Sequence, residues 1–512
     1  MKNKLIIICT LIVLCLFGFQ YWISLQIQTE LPSEQWSRSF PVDTIESNFS
    51  KLQSVPTENG YTISMKNFKK QIVLSCNMDL DCEEKRTIDA FNTYANSWND
   101  DTNSYYIKDN ALIHWSSSDG EKTIAPNVLD FAKTEDRIVY WTDDQKIIVL
   151  NSPFSAEDRH YNMSEPVEFV QIFEDQIFVV TKNEKTSLFT LYNLSDESNQ
   201  LFQFEINATE ILSSMQIIQQ SATNYFLLLD KKVSAGGTST QNIEMASFDL
   251  SVDQSPIFNK LSFVEGQTAL LLKHIQAPTI FPGKQGPIIT FSSTFTDSSG
   301  EKVTKVFVGD FSETTIQAHA VTKSEGRYER PILLNEQTVA YLKMSGANRS
   351  LAYSSADELK VQASSGIMKG DYKAALYKLI EKLFYGFILI LLSFVWIVTA
   401  LILTYVTLLI LLKRKHAHSH TIAFFVHIVA LPVIQIYFLF NFTSIENLIS
   451  HIPFITENWH FVILLLLSSI LSTVPIYILR EKVSEDNFNV FVVYTTFMNL
   501  TVLFFLIGPY LF

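Results

Sequence analysis

Five stretches of this 512-residue chain are apolar for longer than the core elements of a soluble domain need to be. They run from Leu5 to Leu25, Leu383 to Leu412, Ile422 to Phe442, Phe461 to Leu479 and Val490 to Phe512, and none contains Asp, Glu, Lys or Arg. A helix of about 18–20 apolar residues crosses the roughly 30 Å hydrocarbon layer of a bilayer. One ionised side chain at its centre costs about 2.5–3.5 kcal/mol on insertion scales, so runs without charge are what a membrane span requires. The sequence is 47% hydrophobic, and many of its 39 Phe fall in these runs. The pattern predicts five transmembrane helices, one over residues 1–25 and four in a C-terminal bundle over residues 383–512.

Lys and Arg beside the spans set their direction, because basic loops stay in the cytoplasm. Lys2 and Lys4 precede the first run, Lys413, Arg414 and Lys415 follow the second, and Arg480 and Lys482 follow the fourth. Between the third and fourth runs lie Glu446 and Glu457 but no basic residue. The expected product is a multi-pass cell-membrane protein with its N-terminus cytoplasmic, residues 26–382 outside and its C-terminus outside. The first run also has the basic start and apolar stretch of a secretory signal. Its exit from Gln20 to Leu25 offers no small-residue pair for cleavage, and Cys15 follows Val13 and Leu14 where a lipoprotein site needs a small residue. An uncleaved anchor is therefore expected. Abundant Lys, Ile, Asn and Phe point to an AT-rich bacterial genome.

The outer region is acidic. Residues 26–377 hold 30 of the 39 Lys and Arg and 46 of the 52 Asp and Glu, about 16 units negative. Such a field argues against nucleic acid as a ligand and favours cations or basic partners, although an acidic surface also serves solubility alone. Short β-rich runs replace helical periodicity here. Hairpins are predicted from Ala111–Trp115 into Lys122–Ile124, Arg137–Trp141 into Lys146–Leu150 and Gln176–Thr181 into Ser187–Tyr192. Three more run from Tyr225–Leu229 into Ile243–Leu250, Pro287–Phe291 into Lys302–Phe307 and Thr338–Met344 into Ser350–Tyr353, and Tyr61–Met65 with Gln71–Leu74 suggests a seventh. Their spacing averages about 45 residues, the repeat of a β-propeller whose middle strands make the most legible hairpin in each blade. The expected fold is an all-β, β-propeller-like extracytoplasmic domain of six or seven blades over residues 26–344, with a pair of β-sandwiches as the alternative. No Trp-Asp or paired-Gly blade signature recurs. A propeller also suits a domain tethered at both ends, because its first and last strands meet in one blade. Residues 345–382 read as a linker and an amphipathic helix, which is either separate or an extension of the second span.

Few residues suggest chemistry. Cys76 and Cys82, the only cysteines outside the apolar runs, are expected to form a disulfide. The acidic residues around them, Asp79, Asp81, Glu83 and Glu84, lack the central Gly and the twelfth-position Glu of a calcium loop. Cys9 and Cys15 are read as small apolar residues of the first helix, and His416, His418 and His420 as a solvated loop beside a basic flank. His427, Gln435 and Asn499 are the most polar residues well inside the runs, and their default role is hydrogen bonding between helices. No nucleophile elbow, zinc-protease pair, phosphate loop or dinucleotide fingerprint is present. The expectation is a membrane-anchored binding protein that recognises a protein, peptide or glycan at the cell surface, with no metal or cofactor. Its partners would be the lipid bilayer and a membrane or cell-surface protein. The alternatives are an accessory subunit of a transport or export complex, and a surface hydrolase with a dispersed active site, which needs a deep central pocket with convergent carboxylates or histidines.

Overall fold

Short strands, some apolar throughout and some alternating apolar with polar residues, build seven sheets of four or five strands, antiparallel except where Ser262–Glu265 pairs parallel with Thr315–Ala320. The computed structural model describes residues 2–42, 47–89, 91–151, 157–174, 176–183, 185–194, 199–235, 238–252, 255–284, 286–296, 302–312, 314–323, 326–442, 452, 455, 457–478 and 483–510. Two units emerge, Leu31–Phe295 with Lys302–Ser365, and Met1–Glu30 with Gly366–Phe512.

The first unit is a seven-bladed β-propeller. Blades 1 to 6 occupy residues 51–89, 97–125, 128–162, 167–205, 210–260 and 262–320, and blade 7 begins at residue 328. Counted outward from the axis, the first strands of blades 3 to 7 touch their neighbours in turn, that of blade 6 being Ile275–Gly283 because Ser262–Glu265 forms its outer edge, and that of blade 7 touches that of blade 1. Blade 7 takes its outermost strand from the start of the chain, with Phe40–Pro41 pairing antiparallel to Asn348–Ser355 and Phe40 opposite Tyr353. An apolar cluster joins the two ends of the ring, with Tyr61, Ile63 and Leu74 from blade 1 and Ala340, Leu342 and Leu351 from blade 7. The segments leading in and out are stitched together. Ser37 N–H donates to Ser355 O at 2.9 Å, and Arg38 N–H donates to Ser364 Oγ at 3.1 Å in the short helix Glu358–Ser365.

Seven separate four- or five-stranded sheets replace the alternative pair of sandwiches. The expected hairpins are the second and third strands of their blades, except in blade 2. There Ala111–Ser116 and Gly120–Ala125 are the third and fourth strands, and Asn103–Lys108 is the second. Asp109 and Asn110 join Asn103–Lys108 to Ala111–Ser116 with φ of +51° and +57°, the two-residue hairpin turn that Asp and Asn tolerate. The loops inside two of the expected hairpins, at Gly236-Gly237 and residues 297–300, lie outside the described residues. The strand region also runs past the expected boundary at residue 344, because Asn348–Ser355 completes blade 7.

The second unit contains five helices long and apolar enough to cross a membrane. They are α1 (Lys2–Thr29), α3 (Lys369–Lys413), α4 (Ser419–Phe442), α5 (Asn458–Ile478) and α6 (Phe488–Leu506), with α2 the short helix of the propeller unit. The expected amphipathic stretch is the first part of the continuous α3, not a separate helix. Helix α6 ends before Pro509, and Gly508–Tyr510 forms a closing 3-10 turn. A Cβ on Gly508 would stand 2.7 Å from the Gly386 Cα, so this turn needs glycine to lie against α3. Leu389, Trp396 and Ala400 of α3 share a core with Leu431 and Leu439 of α4, Phe461 and Leu465 of α5, and Val502, Leu503 and Leu506 of α6. Helix α1 lies against α3 and α6 and is part of the same unit rather than a separate anchor. Tyr510 donates its hydroxyl to Gln20 Oε1 at 2.9 Å across this contact. Arg480, Lys482, Glu446 and Phe512 lie outside the described residues.

Candidate functional site

The polar residues inside the apolar runs gather in one seam of the helical unit. His427 on α4 is fully buried, with Nδ1 3.0 Å from Thr404 Oγ1 on α3 and Nε2 3.0 Å from Thr496 Oγ1 on α6. Both threonine hydroxyls also reach the carbonyl four residues back, at Ala400 and Val492. A neutral imidazole has one N–H and one acceptor nitrogen, so one threonine must turn its proton from the backbone to the ring. Gln435, two turns along the same face of α4, donates to Asn499 Oδ1 at 2.5 Å. Asn499 in turn donates to Ser468 Oγ and Ser469 Oγ of α5 at 3.1 and 3.2 Å. The arrangement ties four helices together and contains no carboxylate, lysine or arginine. Cys9 sits beside the Tyr494 hydroxyl at 3.3 Å, and Cys15 is exposed.

Cys76 and Cys82 face each other across the last two strands of blade 1 and are joined as a disulfide. Asn77 Oδ1 accepts from the Asp79 and Asp81 N–H groups and shapes the intervening turn, and Asp79 meets Lys360 of α2 at 3.5 Å. His416 and His418 lie between α3 and α4, and His420 belongs to α4. Among the described residues no group of three or more His, Cys, Asp or Glu is placed to hold a metal.

Sequence reasoning did not find a polar cavity of about 660 Å³ beside the propeller axis. It is built by two backbone features. One is the middle hairpin of blade 5, Asn224–Ala235 with Thr238–Asp249, whose twelve-residue strands bring Asp230, Lys232, Thr240 and Gln241 to the cavity. The other is a β-bulge on the first strand of every blade from 3 to 7, at Leu129, Glu168, Ser213, Ala277 and Arg330. A bulge inserts one residue and re-aims its side chain. Three cavity residues, His274, Ala277 and Arg330, hold φ near +50°, a conformation costing roughly 1–2 kcal/mol for a residue with a Cβ. Backbone strain gathered at one cavity is the kind of observation that motivates a functional reading.

The charges of the cavity are unevenly matched. Arg349 donates through Nε to Glu329 Oε2 at 3.1 Å, and its NH1 reaches Asn48 Oδ1 at 3.0 Å. Asp230 accepts from Gln241 Nε2 at 3.2 and 3.3 Å, and burial, outweighing the opposing pull of Gln241, Arg330 and Ser214, pushes its carboxyl up to about 6. In blade 1, Lys51 donates to Tyr94 O and Lys66 to Ala95 O, both at 3.1 Å. Burial, helped by the neighbouring Lys51, lowers the Lys66 ammonium to about 7.

Between blades, glutamines act as backbone clamps. Gln171 on the first strand of blade 4 donates to Ile217 O at 2.7 Å and accepts from Ile217 N–H at 2.8 Å. Gln216 on blade 5 does the same to blade 6, donating to Pro278 O at 3.2 Å and accepting from Ile280 N–H at 2.9 Å. Gln53 on blade 1 accepts from the Ser97 hydroxyl of blade 2 at 2.9 Å. The legible signal was an apolar residue followed by Gln, as in Val170-Gln171-Ile172 and Met215-Gln216-Ile217.

No protein-family model and no curated protein matches this chain. Solved structures similar to it include the N-terminal domain of Nup159, 11% identical with a TM-score of 0.39 over 64% of this chain and 96% of that one. The Neurospora crassa Pan2 WD40 domain is 10% identical with a TM-score of 0.40 over 65% and 99%. The WD40 domain of Toxoplasma gondii coronin is 9% identical with a TM-score of 0.37 over 63% and 84%. At this level of likeness they carry no inference, and the propeller rests on its own strand order.

Proposed function

We propose that this protein is a membrane-anchored binding protein of a bacterial cell, in which the propeller recognises a protein or peptide outside the cytoplasm. The observation that carries the binding reading is the strained, polar cavity beside the propeller axis, where side chains from blades 5, 6 and 7 converge. Its two carboxylates are engaged, Glu329 by Arg349 and Asp230 by Gln241, which favours recognition over hydrolysis. The anchoring reading rests on the five apolar helices and on the placement of Lys and Arg beside them. The Cys76–Cys82 disulfide supports an oxidising, extracytoplasmic setting for the propeller.

Two measurements on the full-length protein test this. A cysteine introduced at the exposed Lys122 is expected to react with a membrane-impermeant maleimide in intact cells, and labelling only after permeabilisation would reverse the topology. A photo-crosslinking residue at Ser213 or Gln276 is expected to capture a discrete partner that the same residue at Lys122 does not. Equal capture from all three positions would remove the cavity from the reading. Loss of capture when the helices α3 to α6 are exchanged for an unrelated anchor would favour the subunit of a transport or export complex instead.

A further inference from the structure

Arg330 stands out among the charged groups of the cavity. It lies on the bulge of blade 7's first strand and is exposed, and its side chain makes no hydrogen bond or ion pair among the described residues, although the Asp230 carboxylate is near enough to feel its charge. Its neighbours sharpen the point. Arg349 is already neutralised by Glu329, while Lys232, across the cavity on blade 5, is exposed and likewise without a partner among the described residues. Lys51 of blade 1 lies near enough for the Arg330 charge to oppose its own ionisation, after burial and against the pull of Asp130. Like charges at the edge of an open cavity repel at a cost that an anion placed among them removes.

We propose that this cavity takes a peptide carboxylate from a protein partner, with Arg330 as the principal contact and Lys232 as the second cation. The inference rests on the reading of the propeller as a binding module and names the chemistry of what it binds. A planar guanidinium offers paired N–H donors that match both carboxylate oxygens. The rest of the lining suits a peptide, with Ser213, Ser214, Thr240 and Gln276 able to bond amide groups on either side of the acid. A phosphate is a poorer match, because Asp230 and Glu329 share the wall and a doubly charged anion meets both. The acidic surface of the domain as a whole favours basic partners, but screening over roughly 8 Å at physiological salt leaves the local cations to decide what enters.

The test uses full-length protein in lipid nanodiscs and saturation-transfer NMR with three probes. One is an acetylated tetraglycine with a free carboxyl terminus, the second a blocked pentapeptide with a central aspartate, and the third the same pentapeptide with asparagine. The two acids separate a chain terminus from an acidic side chain as the source of the carboxylate. At least one acid is expected to bind at least tenfold more tightly than the asparagine probe, and Arg330→Gln is expected to abolish that preference. Lys232→Ala should weaken it severalfold. Because Arg330 is exposed, Arg330→Gln should melt within a few degrees of the parent, and Arg330→Lys should restore part of the preference. Equal binding of acid and amide, an unchanged Arg330→Gln variant, or no binding of either acid overturns the proposal. Partner capture from Ser213 and Gln276 that persists in any of those cases leaves the binding reading standing without it.

Discussion

Asp230 shows how the cavity is held at a cost in stability. The residue is only 3% exposed, and burial raises its carboxyl to about 6 from an ordinary value near 4. Between those values the folded carboxyl keeps a proton that the unfolded one has lost, so stability is highest at low pH and falls as pH rises from about 4 to about 6. A two-unit rise corresponds to at most about 3 kcal/mol at neutral pH. Asp230→Asn keeps the size of the side chain and removes the charge. It should raise the melting temperature of the detergent-solubilised protein at pH 7 and change it little at pH 4.5. An unchanged melting temperature at pH 7 would mean that Gln241, Ser214 and Arg330 already offset burial. No sequence pattern nominated Asp230 or Arg330. Their partners come from other strands and blades, so neither has a local spacing to read, whereas Cys76 and Cys82 form a bond within one hairpin and could be paired from sequence.

The strands were legible to the degree that they are buried on both faces. Among second strands, Gly60–Lys66 is buried throughout and reads as alternating Tyr, Ile and Met, while Arg137–Thr142 and Gln176–Asn183 have unbroken buried centres and read as apolar runs. First strands did not, because a bulge breaks their alternation and the axis fills them with polar residues such as Gln171, Ser214 and Gln216. Outer strands as short as Asn259–Lys260 fall below any periodic signal. The clamps are nevertheless what joins one blade to the next. In Gln216→Leu the apolar bulk remains, while Ile280 N–H and Pro278 O lose their partner, each at about 1–3 kcal/mol if water does not reach them. Chemical denaturation should show a loss of about 2–6 kcal/mol with an unchanged slope, and a loss within error of zero would mean that water replaces the amide.

The division of the chain into a strand unit and a helical unit was plain in the sequence, since membrane-length apolar runs and short β runs do not resemble one another. Closure of the ring was expected only from the need for both ends of the domain to meet, and the pairing that achieves it is small. Phe40–Pro41 contributes two residues to blade 7, with the Phe40 ring 5.3 Å from that of Tyr353. A propeller without that strand leaves Asn348–Ser355 as an open edge beside the apolar cluster that joins blades 1 and 7. Phe40→Ala should therefore act regionally. Amide hydrogen exchange is expected to quicken along Thr338–Ser345, Asn348–Ser355 and Gly60–Lys66, while Gln176–Asn183 on the far side of the ring keeps its protection. Faster exchange in all seven blades would instead make the ring one cooperative unit that opens as a whole. No change anywhere would mean that the Ser37–Ser355 and Arg38–Ser364 hydrogen bonds hold the seam without the strand. The regional outcome follows from how the contacts are distributed: each blade packs mainly on its two neighbours, so a break at one seam is felt first by blades 1 and 7.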